Sequence, residues 1–330
     1  MAFWLIALSL SALGLTVPGR ATAREVDDGY TIAQRFAQYR DKYPGIAWPA
    51  VQWREGQAVL FDRPYKTVDG RDLHVDVFRP AQSLGPSLGQ PLGQAIVLVH
   101  GGGWRAGDKS HFYALAALLA QRGYTVFLPE FRLSLEAAYP AGMTDIADSL
   151  AFAHDHAAQF GIDPERIAVG GASSGGQMAA LLAYAGPSGL FGPGGPRTAN
   201  ALIDLDGVLD LTTPVALAFE NAAGDASPAA RWLGGSYEHA PDRWREASAA
   251  THVGPGSAPT LIVSSGIARF TEGKDAVIAA LRRQAIPYRF HAFADAPHDF
   301  WLFNPWLAQV AGEIDAFLLS LPQPVKGGSR

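Results

Sequence analysis

A serine with glycine two residues before and two residues after it, Gly171-Ala172-Ser173-Ser174-Gly175, joins an apolar run of strand type, Arg166-Ile167-Ala168-Val169-Gly170, to a helix-forming run over 177–185. Few local patterns restrict a fold as strongly. A turn this tight makes the strand and the helix cross beside it, and a Cβ at either flanking position would collide there. The order strand, turn, helix is also the context in which such a motif lifts its serine hydroxyl clear of the backbone.

From Ala95 onward, short apolar runs alternate with helix-forming segments. Residues 95–99, 124–128, 166–170, 201–205, 259–264 and 288–293 read as strands; 112–122, 145–160, 177–185, 275–285 and 306–319 read as helices. Continuous apolar strands separated by helices imply a mostly parallel sheet covered on both faces. In such a sheet the reactive loops collect at the carboxyl ends of the strands. Upstream, 28–43 reads as helical, Asp69-Gly70 between alternating runs as a hairpin turn, and 81–94, rich in Gly, Pro, Ser and Leu, as a surface loop.

The N-terminus carries a separate signal. Residues 3–15 are almost uninterruptedly apolar, 17–20 break the run, and Ala21-Thr22-Ala23 has the small–x–small pattern of a signal-peptidase site. Residues 1–23 are therefore expected to be a signal peptide, with the remainder exported to the periplasm or secreted. No Lys or Arg precedes the run, which is short for a bilayer span. The chain has no cysteine, which excludes disulfides, thiolate metal sites, a cysteine nucleophile and a lipidated cysteine. A 48% hydrophobic composition over 330 residues suffices for a single domain over 24–330 held by its core alone. The formal charge is −5, or −6 once Arg20 leaves with residues 1–23. With no Lys/Arg cluster, neither a nucleic-acid groove nor a basic membrane-facing helix is expected.

Ser173 reads as a nucleophile, which needs a base to take its proton. His298, in Pro297-His298-Asp299-Phe300, follows the last strand and is placed for that work. Of the nine histidines, His154 and His156 lie on a helix, His291 lies in a strand, and His74, His111, His239 and His252 have no motif around them. His100-Gly101-Gly102-Gly103-Trp104 ends the strand at 95–99. The backbone N–H groups of Gly102 and Gly103, with that of Ser174, would hold a tetrahedral oxyanion, while the His100 ring holds the loop.

On these segments the chain resembles α/β-hydrolases of the exported esterase group that includes hormone-sensitive-lipase-like and bacterial feruloyl- or acetyl-esterase-like enzymes, over roughly residues 65–319. The resemblance implies an α/β-hydrolase fold: a mostly parallel eight-stranded sheet, helices on both faces, and a cap insertion between strands 6 and 7, here about 212–258. It also implies a serine carboxylesterase acting through an acyl-enzyme on Ser173, with no cofactor and no metal. Asp206-Gly207-Val208-Leu209, Trp232-Leu233-Gly234-Gly235 and Pro297-His298-Asp299-Phe300-Trp301-Leu302-Phe303 are similar to segments of esterases acting on decorated plant polysaccharides, of acetyl, feruloyl or pectin type.

The chain departs from its relatives at the triad acid. Most of them carry it three residues after the glycine that closes the seventh strand, and some after the sixth strand; here that glycine is Gly266 and the residue is Arg269. Asp206, directly after the strand at 201–205, is preferred because it ends a rigid strand on the reactive edge. Asp275 is the alternative, although a charge at a helix start accounts for it equally well. Strict alternation along the strand would put Asp204 and Asp206 on one face, so alternation does not separate them. Arg269 pairs with Asp206, grips an anionic substrate such as a uronate, or makes a structural ion pair.

Trp104, Arg269 and Trp301 are substrate-binding candidates, with Trp232, Tyr237 and Trp244 in the insertion and Trp306 behind the base. Their faces either stack on sugar or aryl groups or pack core and cap. The expected partner is a small-molecule or oligosaccharide ester, with no nucleic acid and no membrane after signal cleavage. Alternatives are a general short-chain carboxylesterase, a peptidase of the same fold, and a non-catalytic binding protein that kept the fold.

Overall fold

The computed structural model describes residues 27–81, 92–192 and 198–322. The expected signal peptide and most of the loop at 81–94 lie outside them. The strands are β1 (Ala58–Val68), β2 (Arg71–Arg79), β3 (Gln94–Val99), β4 (Tyr124–Pro129), β5 (Ile167–Ala172), β6 (Leu202–Leu205), β7 (Thr260–Ser264) and β8 (Tyr288–Ala292). They form one sheet in the order β1-β2-β4-β3-β5-β6-β7-β8. The first two neighbour pairs are antiparallel and the rest parallel. The β1–β2 hairpin turns where Asp69-Gly70 dictates, both residues taking left-handed φ of 50° and 78°.

Every residue of β3 to β7 is buried, because helices cover both faces. The pleat divides the core: Ala95, Val97 and Val99 enter one cluster with the helices Ala141–Asp155 and Ser174–Ala185. Ile96 and Leu98 enter the other, with Tyr113–Gln121 and Trp306–Ser320. This is the α/β-hydrolase architecture, and it places the ends of β3, β5 and β6 side by side.

Helix boundaries moved for identifiable reasons. The segment expected at 145–160 forms two helices, Ala141–Asp155 and Ala157–Phe160. Asp145, which resembles a start signal, faces inward instead and is bound by Arg132 Nε and Lys66 Nζ, each at 2.8 Å. At the break, His156 Nδ1 donates to the Phe152 carbonyl at 2.9 Å. The first helix shrinks to Ile32–Tyr39 because Thr31 and Gln34 close a capping box there. Between β6 and β7, three short helices, Pro214–Asn221, Pro228–Leu233 and Pro241–Glu246, each start on a proline. Trp232 and Trp244 anchor them in the first core cluster.

Candidate active site

Ser173 stands at the end of β5 with φ 54° and ψ −125°, a conformation that L-residues adopt only when the surroundings impose it. The helix begins at once, at Ser174 rather than three residues later. Gly175 makes the turn possible: a Cβ there would lie 2.1 Å from the Val99 carbonyl oxygen and 2.4 Å from that of His100. The same closeness puts the HGGG loop against Ser173.

A continuous hydrogen-bond chain runs from this hydroxyl. His298 Nε2 lies 2.8 Å from Ser173 Oγ, and His298 Nδ1 lies 2.8 Å from Asp206 Oδ2. The Asp206 carboxylate only accepts, so Nδ1 donates to it and Nε2 is left to accept the serine proton. Asp206 is buried and takes further bonds from the Ser265 N–H at 2.9 Å and the Ser265 hydroxyl at 2.5 Å. The imidazole is fixed from both sides: the Phe270 ring lies parallel at 3.4 Å, and Trp301 meets it edge-on at 5.2 Å.

The choice among acids is now a matter of geometry. Asp206 takes a left-handed φ of 55° just past β6, which breaks the alternation and turns its carboxyl toward the base. Asp204 Oδ1 instead accepts from the Gly207 N–H at 3.0 Å. Burial, reinforced by the charge of Asp206, pushes the Asp204 carboxyl well above the usual carboxylate range. Asp275 sits elsewhere, exposed on its helix start and bound to its neighbour Lys274.

In the HGGG loop, Gly102 has φ 133°, and a Cβ there would fall 2.1 Å from the Ala106 oxygen. His100 holds the loop as expected, its Nδ1 donating to the Gly101 carbonyl at 2.9 Å. Trp104 also has a left-handed φ, 59°. Its indole stacks on Trp232 at 5.0 Å and donates to Gln177 Oε1 at 2.9 Å, while Gln177 Nε2 donates to the Ala247 carbonyl at 2.7 Å. Gln177 thereby ties the HGGG loop, the helix after Ser173 and the insertion together.

Two cavities meet at Ser173. One is enclosed, about 60 Å³, and walled by Gly103, Trp104, Leu211, Phe219 and Phe270, with Glu220 and Arg269 among its lining residues. The other is a wide cleft of about 640 Å³ lined by His298, Asp299, Tyr30, Tyr39, Arg35 and Arg105. Tyr30 and Tyr39 each donate a 2.5 Å bond to Asp299, which joins the N-terminal helix to the loop of the base.

Of the readings open for Arg269, the structure has the ion pair and not the bond to Asp206: its guanidinium lies 3.1 Å over the Phe219 ring and 3.8 Å from Glu220 Oε1. Burial, partly offset by Glu220, lowers its pKa from the usual arginine value. Trp301 lines neither cavity and is buried behind the imidazole. Of the two readings open for the insertion tryptophans, Trp232 and Trp244 take the packing one and are buried. Sequence reasoning missed Ser265, Phe270, Gln177 and Glu220. Only Gln177 left a trace, as a lone amide in an otherwise apolar and small-residue helix.

Comparison with known proteins agrees with this architecture. A family model described as BD-FAE matches residues 76–268, more than half of the chain. Carboxylic ester hydrolase LipN of Mycobacterium tuberculosis is 35% identical over 131 residues, 36% of this chain and 34% of that one. Ethyl acetate hydrolase of Pseudomonas putida is 35% identical over 125 residues, 38% of each chain. The chain thus spans about a third of the length of the curated relatives it matches. Among solved structures, a truncated carbohydrate esterase from gut microbiota superposes with a TM-score of 0.64 at 20% identity, covering 83% of this chain and 98% of that one. Esterase Est2 of Thermogutta terrifontis, with propionate bound, gives 0.61 at 22% identity, covering 82% and 97%.

Proposed function

We propose, for a chain that belongs to the BD-FAE family of α/β-hydrolases, a serine carboxylesterase that removes short acyl groups from a bulky alcohol, an oligosaccharide or plant-polysaccharide fragment. One observation carries this: Ser173, His298 and Asp206 are joined by consecutive 2.8 Å hydrogen bonds where a small enclosed cavity meets a wide cleft.

Ser173 Oγ attacks the ester carbonyl while its proton passes to His298 Nε2, and Asp206 holds the resulting imidazolium. The N–H groups of Gly102, Gly103 and Ser174 take the tetrahedral oxygen, a contribution worth about 100-fold or more in turnover per donor. The imidazolium then protonates the leaving alkoxide, and water repeats the sequence on the acyl-enzyme. Because that proton goes to the leaving oxygen, the alcohol lies on the imidazole side. His298 lines only the wide cleft, so the cleft is assigned to the alcohol and the enclosed cavity to the acyl group.

Size then narrows the substrate. The smaller cavity, about 60 Å³ and lined mostly by apolar side chains, suits a short acyl group such as acetyl to butyryl better than a feruloyl group or the uronate acyl part of a methylated pectin. Tyr30, Tyr39, Arg35 and Arg105 give the cleft the aromatic and hydrogen-bonding surface that suits sugars. The names of two similar proteins, an ethyl acetate hydrolase and a carbohydrate esterase, are in keeping with this assignment.

The test is turnover of p-nitrophenyl acetate with a burst, lost in Ser173→Ala, together with covalent labelling of Ser173 by a fluorophosphonate. Acetylated xylan should release acetate, whereas feruloylated arabinose and methylated pectin should be poor substrates. A wild-type protein that neither labels nor turns over acetate refutes the assignment. Export is proposed with it, on the apolar run at 3–15 and the Ala21-Thr22-Ala23 site; N-terminal sequencing of the protein from its host should begin at Arg24.

A further inference from the structure

The residue next to the base carries a buried carboxylate. Asp299 is 1% exposed, and each of its oxygens takes one phenol hydroxyl, Oδ1 from Tyr30 and Oδ2 from Tyr39, both at 2.5 Å. Burial, reinforced by the charge of Asp299, raises both phenols above the usual tyrosine range, so they stay protonated and donate. Stability alone does not call for this arrangement, since apolar side chains of similar volume dock a helix as well or better. Directional bonds fix one geometry, which apolar packing does less strictly. The segment that supplies the phenols also braces the other side of the cleft. The Tyr30 ring meets His111 edge-on at 4.8 Å, and His111 meets the His100 ring edge-on at 6.2 Å. Asp27 Oδ2 lies 2.6 Å from Arg105 Nε, just past the HGGG loop.

We propose that Asp299 is a positioning residue for His298: clasped by Tyr30 and Tyr39, it holds the imidazole at its place relative to Ser173 and the HGGG loop. The inference rests on the reading of His298 as the base of a serine esterase. Asp299 follows His298 directly, so a carboxylate free to shift carries the backbone of the base with it. Residues 27–39 bridge the loop after β8 and the loop after β3, and the clasp thereby sets the spacing between the two sides of the cleft. A misplacement of about 1 Å in such a site costs about 100-fold in rate.

The full-length protein is assayed for kcat and KM on p-nitrophenyl acetate, with urea unfolding alongside. The decisive variant, Tyr30→Phe/Tyr39→Phe/Asp299→Leu, replaces the whole cluster by apolar groups of similar shape, so its urea midpoint should stay close to wild type. Its kcat should nevertheless fall about tenfold or more, with KM within about twofold, because the base serves acylation and deacylation alike. Asp299→Asn, whose amide accepts from one phenol and donates to the other, should recover most of that loss. A folded triple variant with kcat within about twofold of wild type overturns the proposal, since the cluster then only docks the helix. An Asp299→Asn protein as slow as the triple variant overturns it too, because the charge and not the clasp then matters. If the triple variant does not fold, Tyr30→Phe and Tyr39→Phe decide singly: a lowered kcat at unchanged KM supports the clasp, and two variants within about twofold of wild type refute it. Turnover that is lost in Ser173→Ala and His298→Ala reports separately on the esterase assignment, which survives if only the clasp fails. If wild type turns over no ester, both fall.

Discussion

Replacing Asp206 by Asn changes one oxygen into an NH2 group and should nearly silence the site. Asp206 Oδ1 accepts from the Ser265 N–H at 2.9 Å, and a backbone N–H can only donate. The Asn oxygen must therefore stay there, which places its NH2 group where Oδ2 now faces His298 Nδ1 at 2.8 Å and the Ser265 hydroxyl. A donor at that point forces the proton of the imidazole onto Nε2. The nitrogen 2.8 Å from Ser173 Oγ then has no lone pair to receive the serine proton. The wrong tautomer in such a triad costs about 10⁴-fold in turnover, or about 5.5 kcal/mol of transition-state stabilisation. The assay is steady-state kcat/KM on p-nitrophenyl acetate, with circular dichroism to confirm that the variant is folded. Asp275→Asn, on an exposed helix start, should stay within about twofold of wild type, since surface substitutions of this kind shift energies by about 0.5 kcal/mol. A folded Asp206→Asn protein within about tenfold of wild type would refute the geometric reasoning.

Three further outcomes follow from the packing. Gly175→Ala drives a Cβ to 2.1 Å from the Val99 oxygen; neither backbone can yield, so urea unfolding should show a loss of about 3 kcal/mol and activity should fall with it. Gln177→Met leaves the Trp104 indole and the Ala247 carbonyl without their bonds, at about 1–3 kcal/mol for each buried group, read as a lowered urea midpoint. For Asp145, burial pushes the carboxyl up, but hydrogen bonds from Arg132 and Lys66 outweigh it and hold the pKa below the usual range. Its stabilisation is therefore present above the unfolded carboxylate value of about 3.9 and is lost as pH falls through the lower native value. Asp145→Asn should cost about 3–5 kcal/mol at pH 7, and the gap from wild type should shrink steadily in urea titrations carried below about pH 4.

Local rules account for what could be read without coordinates. The turn at Asp69-Gly70 needs left-handed φ at both positions and has it. Residues 95–99 alternate between two cores because side chains on a pleat must. Gly171 is fixed within its own turn, where a Cβ would lie 2.3 Å from the Gly175 carbonyl oxygen, whereas Gly175 is required by the distant end of β3. Where local rules failed, a distant partner outbid them. The helix expected to begin at Asp145 begins at Ala141 instead, and Asp145 is the buried partner of Lys66 and Arg132. Trp301 looks like a binding face and is instead the back wall of the base.

By itself, then, the sequence determined the mostly parallel sheet, the strand–turn–helix at Ser173 and the choice of His298 among the nine histidines as its neighbour, through periodicity and local motifs. Tertiary structure decided which carboxylate meets the imidazole, because Asp206 reaches His298 across 92 residues of chain and the left-handed φ at its strand end aims the carboxyl there. It also decided the chemistry of the cavity, where Arg269 turned from the triad to Phe219 and Glu220. Such choices depend on which loops meet at the sheet edge, and no residue carries that information in its immediate neighbours.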